Sequence, residues 1–156
     1  MKLTTGLLAG AAAGAAGTTA LNATTYLDMV LRGRPASSTP EQTVEKLSSR
    51  SHLNIPGNEE TRANRVSGLG ALTGILAGVG VGVALGAARA AGWRPGLVGS
   101  SVVAGTGALL VGNGPMTLLG VTDPRSWSAA DWASDLAPHL AYGAVAGGVL
   151  QQLTRR

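Results

Sequence analysis

The sequence predicts an all-α fold, namely a membrane-spanning four-helix bundle that packs through glycine and alanine and carries short helices at the membrane surface. Hydrophobic residues are 45% of the 156 residues and charged residues only 13%, about half of the share expected in a soluble domain. Each uncharged stretch of the chain approaches or exceeds the roughly 20 residues that cross a bilayer core. These stretches are Leu3 to Leu27, Val66 to Ala88, Gly96 to Thr122 and Leu136 to Thr154.

Glycines at every fourth position are the third observation. Hydrogen side chains in one row let a second helix come close, which is how helices associate in lipid, where burying apolar area gives no advantage. In water each such glycine costs roughly 1 kcal/mol of helix stability relative to alanine. A soluble bundle is the competing interpretation, but uncharged stretches of this length leave no polar face for water. The predicted helix-packing positions of this glycine zipper and its shorter counterparts are Gly70, Gly74, Gly78, Gly82 and Gly86, with Gly6, Gly10, Gly14, Gly143 and Gly147.

The first half of the chain predicts one long helix and one short one. The long helix covers about 3–31. The polar loop 33–63 holds a short surface helix, in which Thr39 is the N-cap, Pro40 the first helical residue and Gln42 the capping-box partner.

The second half predicts three further spans. One helix covers about 64–91, and a tight turn then leads into a helix over about 96–121. Because Pro115 lacks an amide donor and clashes with the preceding turn, we expect a kink or break there. The segment 123–133 contains two tryptophans and suits the water boundary. The last helix covers about 134–153.

Together these elements predict a single integral membrane domain, 1–156, that crosses the cell membrane several times. Four crossings place both termini on the same side. The basic residues do not decide which side, because their numbers at the two ends are similar. Those on the terminal side are Lys2, Arg89, Arg94, Arg155 and Arg156, and those on the opposite side are Arg32, Arg34, Lys46, Arg50, Arg62, Arg65 and Arg125.

Four polar residues form the candidate intramembrane site: Asp28, His139, Asn113 and Asn22. Asp28 near the end of the first helix and His139 near the start of the last are expected at similar depth. An ionisable group in hydrocarbon needs a partner, water or a proton, so this pair suggests a proton-linked site. The alternative interpretation is that Asp28 pairs with Arg32 one turn later, while His139 caps a helix start near the headgroups.

The motifs of the common enzyme classes are absent from the sequence, and we predict a non-enzyme without cofactor or metal. The glycine pairs fail the dinucleotide fingerprint at its third position, and no phosphate-binding Gly-Lys-Ser/Thr loop occurs. His52 and His139 stand far apart without neighbouring ligands, which argues against zinc. The net charge of +4 comes from isolated basic residues, so membrane lipids rather than nucleic acid are the expected partners.

Three blocks of the sequence resemble small multi-spanning membrane proteins of actinobacterial type and, more distantly, the YagU-like inner-membrane proteins. The blocks are Tyr26 to Leu47, Gly120 to Trp127 and Pro138 to Gly143. This resemblance implies location and topology only. We therefore predict a structural or accessory membrane component, either a homo-oligomer or a part of a larger complex. A small oligomeric channel or transporter for ions, protons or a small solute is the alternative.

Overall fold

The structure is a computed structural model that describes residues 1–155. This part of the chain forms five α-helices and contains no strand, as the sequence predicts for an all-α fold. A single 3-10 turn, Pro124–Ser126, precedes the last helix. The helices are α1 (Leu3–Arg32), α2 (Thr39–Ser51), α3 (Glu59–Ala90), α4 (Leu97–Leu118) and α5 (Ala129–Leu153). Two of them, α3 and α4, are long and apolar enough to cross a membrane.

The four long helices run antiparallel to their neighbours. Helix α1 packs against α3 and α5, and α5 packs against α4, whereas α2 lies mainly against the first half of α3. The start of α1 therefore lies beside the end of α3, at what we call the terminal end of the bundle. The opposite end, where α1 ends and α5 begins, is the loop end, and an Arg32 to Ser134 hydrogen bond joins those two helices there.

Glycine backbones form the contact between α1 and α3. A Cβ atom on Gly6 would stand 2.5 Å from the Gly86 carbonyl oxygen, and one on Gly14 would stand 2.7 Å from the Gly78 carbonyl oxygen. Between these pairs, a Cβ on Gly10 would collide with the Gly82 carbonyl. Any side chain larger than hydrogen would push these helices apart. The contact therefore depends on three glycines of each helix.

The other predicted glycines have different neighbours. Gly70 lies against Pro40 of α2, and nothing lies within 4 Å of a Cβ placed on Gly74. Between α4 and α5, a Cβ on Gly143 would stand 2.9 Å from the Gly105 amide nitrogen, and one on Gly147 would stand 2.8 Å from the Ser101 amide nitrogen. The row in α3 is thus divided between α1, α2 and open space.

Tyr142 joins three helices in the middle of the bundle. Its side chain is completely buried, and its hydroxyl donates a 2.6 Å hydrogen bond to the Gly78 carbonyl of α3. A Cβ on Gly17 of α1 would stand 2.8 Å from the tyrosine ring. The surrounding core is made mainly of alanines, together with Leu85 and Leu150.

Large apolar side chains lie mostly on the outside of the bundle. Among residues 1–155, five aliphatic or aromatic residues larger than alanine are buried, whereas twenty-four are exposed. The exposed ones include Leu76 of α3, Val98 of α4 and Leu140 of α5. Small residues lie inside and large apolar residues lie outside, which is the reverse of the arrangement that water imposes.

Three predicted helix starts are wrong, because local caps extend or shift the helices. Helix α3 begins at Glu59 rather than 64, since the Asn58 side chain accepts a 2.9 Å hydrogen bond from the Thr61 amide. Helix α5 begins at Ala129 rather than 134 and therefore absorbs the second half of the segment 123–133. In α2 the N-cap is Ser38, one residue before the predicted Thr39, and its hydroxyl accepts a 2.9 Å hydrogen bond from the side-chain amide of Gln42 rather than from the helix backbone.

Helix α4 continues through Pro115, so the expected break does not occur. Pro115 leaves the carbonyl four residues earlier without its usual backbone donor. The Thr117 hydroxyl donates a 2.8 Å bond to the Asn113 carbonyl in the same turn. The helix ends at Leu118, three residues before the predicted limit, and Gly120 follows in the left-handed conformation with φ of 69°.

Candidate functional site

The polar side chains of the long helices gather at the loop end, around the first turns of α5. A capping box begins this helix: the Ser128 hydroxyl accepts from the Asp131 amide at 3.2 Å, while the Asp131 carboxylate accepts from the Ser128 amide at 2.9 Å. The Ser128 hydroxyl and then the Ser128 amide donate hydrogen bonds to the Asp131 carboxylate, and these two bonds lower the pKa of that carboxyl. In the helix that follows this cap, Ser134 faces α1 and Asp135 faces α4.

Asp28 of α1 forms the first cluster with two arginines. Its carboxylate lies 2.7 Å from Arg32 Nε and 2.5 Å from Arg34 Nε. Hydrogen bonds from Arg32 and then from Arg34 lower the pKa of this carboxyl below its ordinary value of 3.8. Arg32 also reaches Ser134 of α5. The cluster therefore contains two ion pairs of Asp28, and the hydrogen bond from Arg32 to Ser134 links the end of α1 to the start of α5.

Asn113, Asp135 and His139 form the second cluster, between α4 and α5. The Asn113 amide donates a 2.8 Å hydrogen bond to the Asp135 carboxylate. His139 Nδ1 lies 2.6 Å from the Asp135 backbone carbonyl and 3.7 Å from its carboxylate. Because a carbonyl only accepts, Nδ1 carries the proton of the neutral ring and Nε2 is left as an acceptor. Nε2 is directed towards Gly112 of α4.

An apolar groove of about 320 Å³ adjoins this cluster on the outside of α4. Asn113, a member of the cluster, also lines this groove, and two tryptophans close one side of it. The rings of Trp127 and Trp132 meet edge to face with centroids 5.0 Å apart, and the Trp127 indole donates a 2.8 Å bond to Thr122. Indoles with an apolar body and a satisfied N–H suit a membrane boundary.

The structure brings two of the four predicted site residues, Asn113 and His139, together through Asp135 and places Asp28 and Asn22 elsewhere. Asp28 binds the arginines, as the alternative interpretation proposed, and no hydrogen bond or ion pair among residues 1–155 joins it to His139. His139 lies in the third turn of α5 rather than at a helix start. Asn22 is half-buried in α1. The pairing of Asp28 with His139 is therefore wrong, because the arginines after α1 supply closer partners.

Asp135 is the residue that the sequence interpretation missed. Its side chain is only 18% exposed and holds both Asn113 and His139. The signal was present, since Asp135 and His139 are four residues apart and share one face of a helix. It becomes visible once Ser128 and Asp131 are recognised as a capping box that begins the helix earlier.

The second cluster places the His139 Nε2 acceptor beside a carboxylate that accepts from Asn113, and this hydrogen-bonding capacity is the chemistry that it offers. Within residues 1–155, no group of three His, Cys, Asp or Glu side chains is arranged to hold a metal ion.

Comparisons with known proteins leave the family open. No family model, curated protein or solved structure matches this chain. The resemblance to YagU-like membrane proteins therefore stays a prediction.

Proposed function

We propose that this chain is an integral membrane protein whose four long helices cross the bilayer, and that it serves as a structural or accessory component rather than as an enzyme. Its glycine zipper holds the bundle together. Its outer surface associates with a second copy or with a larger membrane complex.

The distribution of apolar side chains is the observation that supports this proposal. The core consists mainly of alanine and glycine with Tyr142, Leu85 and Leu150, while most leucines and valines project outward along α1, α3, α4 and α5. Soluble monomers rarely expose contiguous apolar patches larger than a few hundred Å². Lipid makes such a surface favourable, and it also explains why the helices associate through close backbones.

The lengths of the helices also support a position across the bilayer. At about 1.5 Å per residue, the 22 residues of α4 span about 33 Å and the 30 residues of α1 about 45 Å. Both exceed the hydrocarbon thickness of about 30 Å. The uncharged stretch of α1 stops just before Asp28, and that of α5 starts just after Asp135. Both carboxylates therefore mark the same boundary, at the loop end of the bundle.

An accessory role is supported by the packing of the interior. Tyr142 and the alanines fill the space between the two ends, and the ion pairs at the loop end stabilise the connections between helices. By contrast, Gly68, Gly74 and Gly80 of α3 have no neighbour within 4 Å. Glycines on an outward face leave room for a close contact with another helix in the membrane.

Membrane extraction tests the proposal. We expect the chain to stay with the membrane fraction in alkaline carbonate and to be released by a mild detergent. The mass of the detergent-extracted particle, measured by light scattering, then reports whether it is larger than one 15.5 kDa chain. Release by carbonate would contradict the membrane location, whereas a monomer without other subunits would contradict the association.

A proton-linked transporter or channel is the second candidate, and the cluster of Asn113, Asp135 and His139 favours it. Ionisable side chains at a helix interface near the membrane are by default functional candidates. The measurement is proton flux into liposomes that contain the purified chain. Asp135→Asn should abolish the flux, while Asp123→Asn, an exposed carboxyl at the same end, should leave it unchanged. Absence of flux in the unaltered chain would contradict this candidate.

A further inference from the structure

Arg89 is the one charged residue that is buried among the residues described, with only 7% of its surface exposed. It lies one residue before the end of α3. Its Nε is buried and has no hydrogen-bond partner within the described chain. A buried guanidinium nitrogen without an acceptor is unfavourable, because it has lost water and gained nothing in return. A partner from outside the chain would remove this penalty.

Arg89 lies at the terminal end of the bundle. A Cβ on Gly6 would stand 2.9 Å from Ala90, so Arg89 is level with the start of α1. It follows Leu85 of the core by one helical turn and shares its face. The uncharged stretch of α3 ends at Ala88, directly before it. The guanidinium therefore lies where a membrane-spanning core would meet the headgroups.

The chain supplies no carboxylate side chain at this end. All eight acidic residues lie at the loop end, and so do the four ion pairs found among residues 1–155. The charged side chains at the terminal end among residues 1–155 are all basic. The acidic residues are Asp28, Glu41, Glu45, Glu59, Glu60, Asp123, Asp131 and Asp135, and the basic neighbours at the terminal end are Lys2, Arg94 and Arg155.

We propose that Arg89 binds the phosphate of an anionic phospholipid at the terminal end of the bundle, an inference that rests on the proposed membrane location. The guanidinium fork matches two phosphate oxygens, and arginine is favoured where such planar recognition matters. Lipid phosphates lie at the depth where the uncharged stretch of α3 ends. Lys2, a basic residue at the same end of the bundle, adds attraction for a lipid with net negative charge.

The test compares lipids for their effect on the purified chain in neutral detergent micelles. Thermal unfolding is followed by circular dichroism after addition of phosphatidylglycerol, phosphatidylcholine or inorganic phosphate. We expect phosphatidylglycerol to raise the unfolding midpoint by several degrees and the other two to have little effect. Arg89→Gln should lose most of this shift. The matched control Arg94→Gln removes an exposed arginine at the same end and should keep it.

Each opposite result would overturn the inference. Equal shifts with phosphatidylglycerol and phosphatidylcholine would show that the lipid charge is not recognised, and a shift reproduced by inorganic phosphate would show a free-anion site. A full shift in Arg89→Gln would place the lipid elsewhere. If that variant does not fold, Arg89→Lys keeps the charge without the fork, and we expect it to lose at least half of the shift. A full shift in Arg89→Lys would show that charge alone suffices.

Failure of this inference differs from failure of the proposed location. A chain that resists carbonate extraction but shows no preference for phosphatidylglycerol would disprove the lipid site alone. A chain that carbonate releases would disprove the membrane location on which the site depends.

Discussion

Replacing Gly82 with alanine tests the glycine contact between α1 and α3. At this position the backbone of α3 lies directly against the backbone of α1 at Gly10 and Gly14. A Cβ on Gly82 would stand 2.5 Å from the Gly14 Cα, and ordinary contact begins at 3.4 Å. The two helices must therefore separate by about 0.9 Å at this point, the difference between those distances. A gap of about this size forfeits a quarter to a half of the dispersion attraction along the contact.

The size of the effect follows from two opposing contributions. Overpacking of a tight core costs about 1–3 kcal/mol, and the upper part of that range applies because neither helix backbone can rotate away. Alanine also favours the helix by up to about 1 kcal/mol relative to glycine. The matched control is Gly80→Ala, since nothing lies within 4 Å of a Cβ at that position. We expect Gly82→Ala to be less stable than Gly80→Ala by about 2 kcal/mol or more.

Unfolding by sodium dodecyl sulfate in mixed micelles, followed by circular dichroism, measures this difference. Gly80→Ala should unfold at the same detergent fraction as the unaltered chain or slightly above it. Gly10→Ala combined with Gly82→Ala should cost less than the sum of the single changes, because the first methyl group already separates the helices. Equal midpoints for Gly82→Ala and Gly80→Ala would refute the close backbone contact.

Two further predictions concern the hydrogen bond in the core and the ion pair at the loop end. Tyr142→Phe should lower the free energy of unfolding by about 1 kcal/mol, because the Gly78 carbonyl loses a donor, whereas Tyr26→Phe on the exposed surface should have no effect in the same assay. The lowered pKa of Asp28 means that its ion pair stabilises the fold above the ordinary pKa of 3.8 and that this contribution disappears as pH falls through the folded value. Asp28→Asn should therefore lower the unfolding midpoint at pH 7 but have no effect at a pH below the folded pKa. An equal loss at both pH values would contradict the ion-pair explanation.

Local sequence was sufficient for the all-α class and for the approximate extent of the long helices. Uncharged stretches must be helical in an apolar solvent, since every backbone group then finds its partner within the segment. The errors at the helix starts have a local cause as well. Asn58 and Ser128 are ordinary N-caps, but charged residues occupy the first turns after them. The sequence interpretation therefore assigned these first turns to polar segments outside the helices.

The partners of the glycines and of the polar residues were decided by tertiary structure alone. A row of glycines identifies a face of a helix but not its neighbour, and α3 turns out to share its row between α1, α2 and open space. Asp135 meets Asn113 across 22 residues, and Arg32 meets Ser134 across 102. Such pairs depend on the rotation and depth of whole helices, which result from the packing of all four together. Sequence therefore determined what each helix can present, and the packed bundle determined what each one meets.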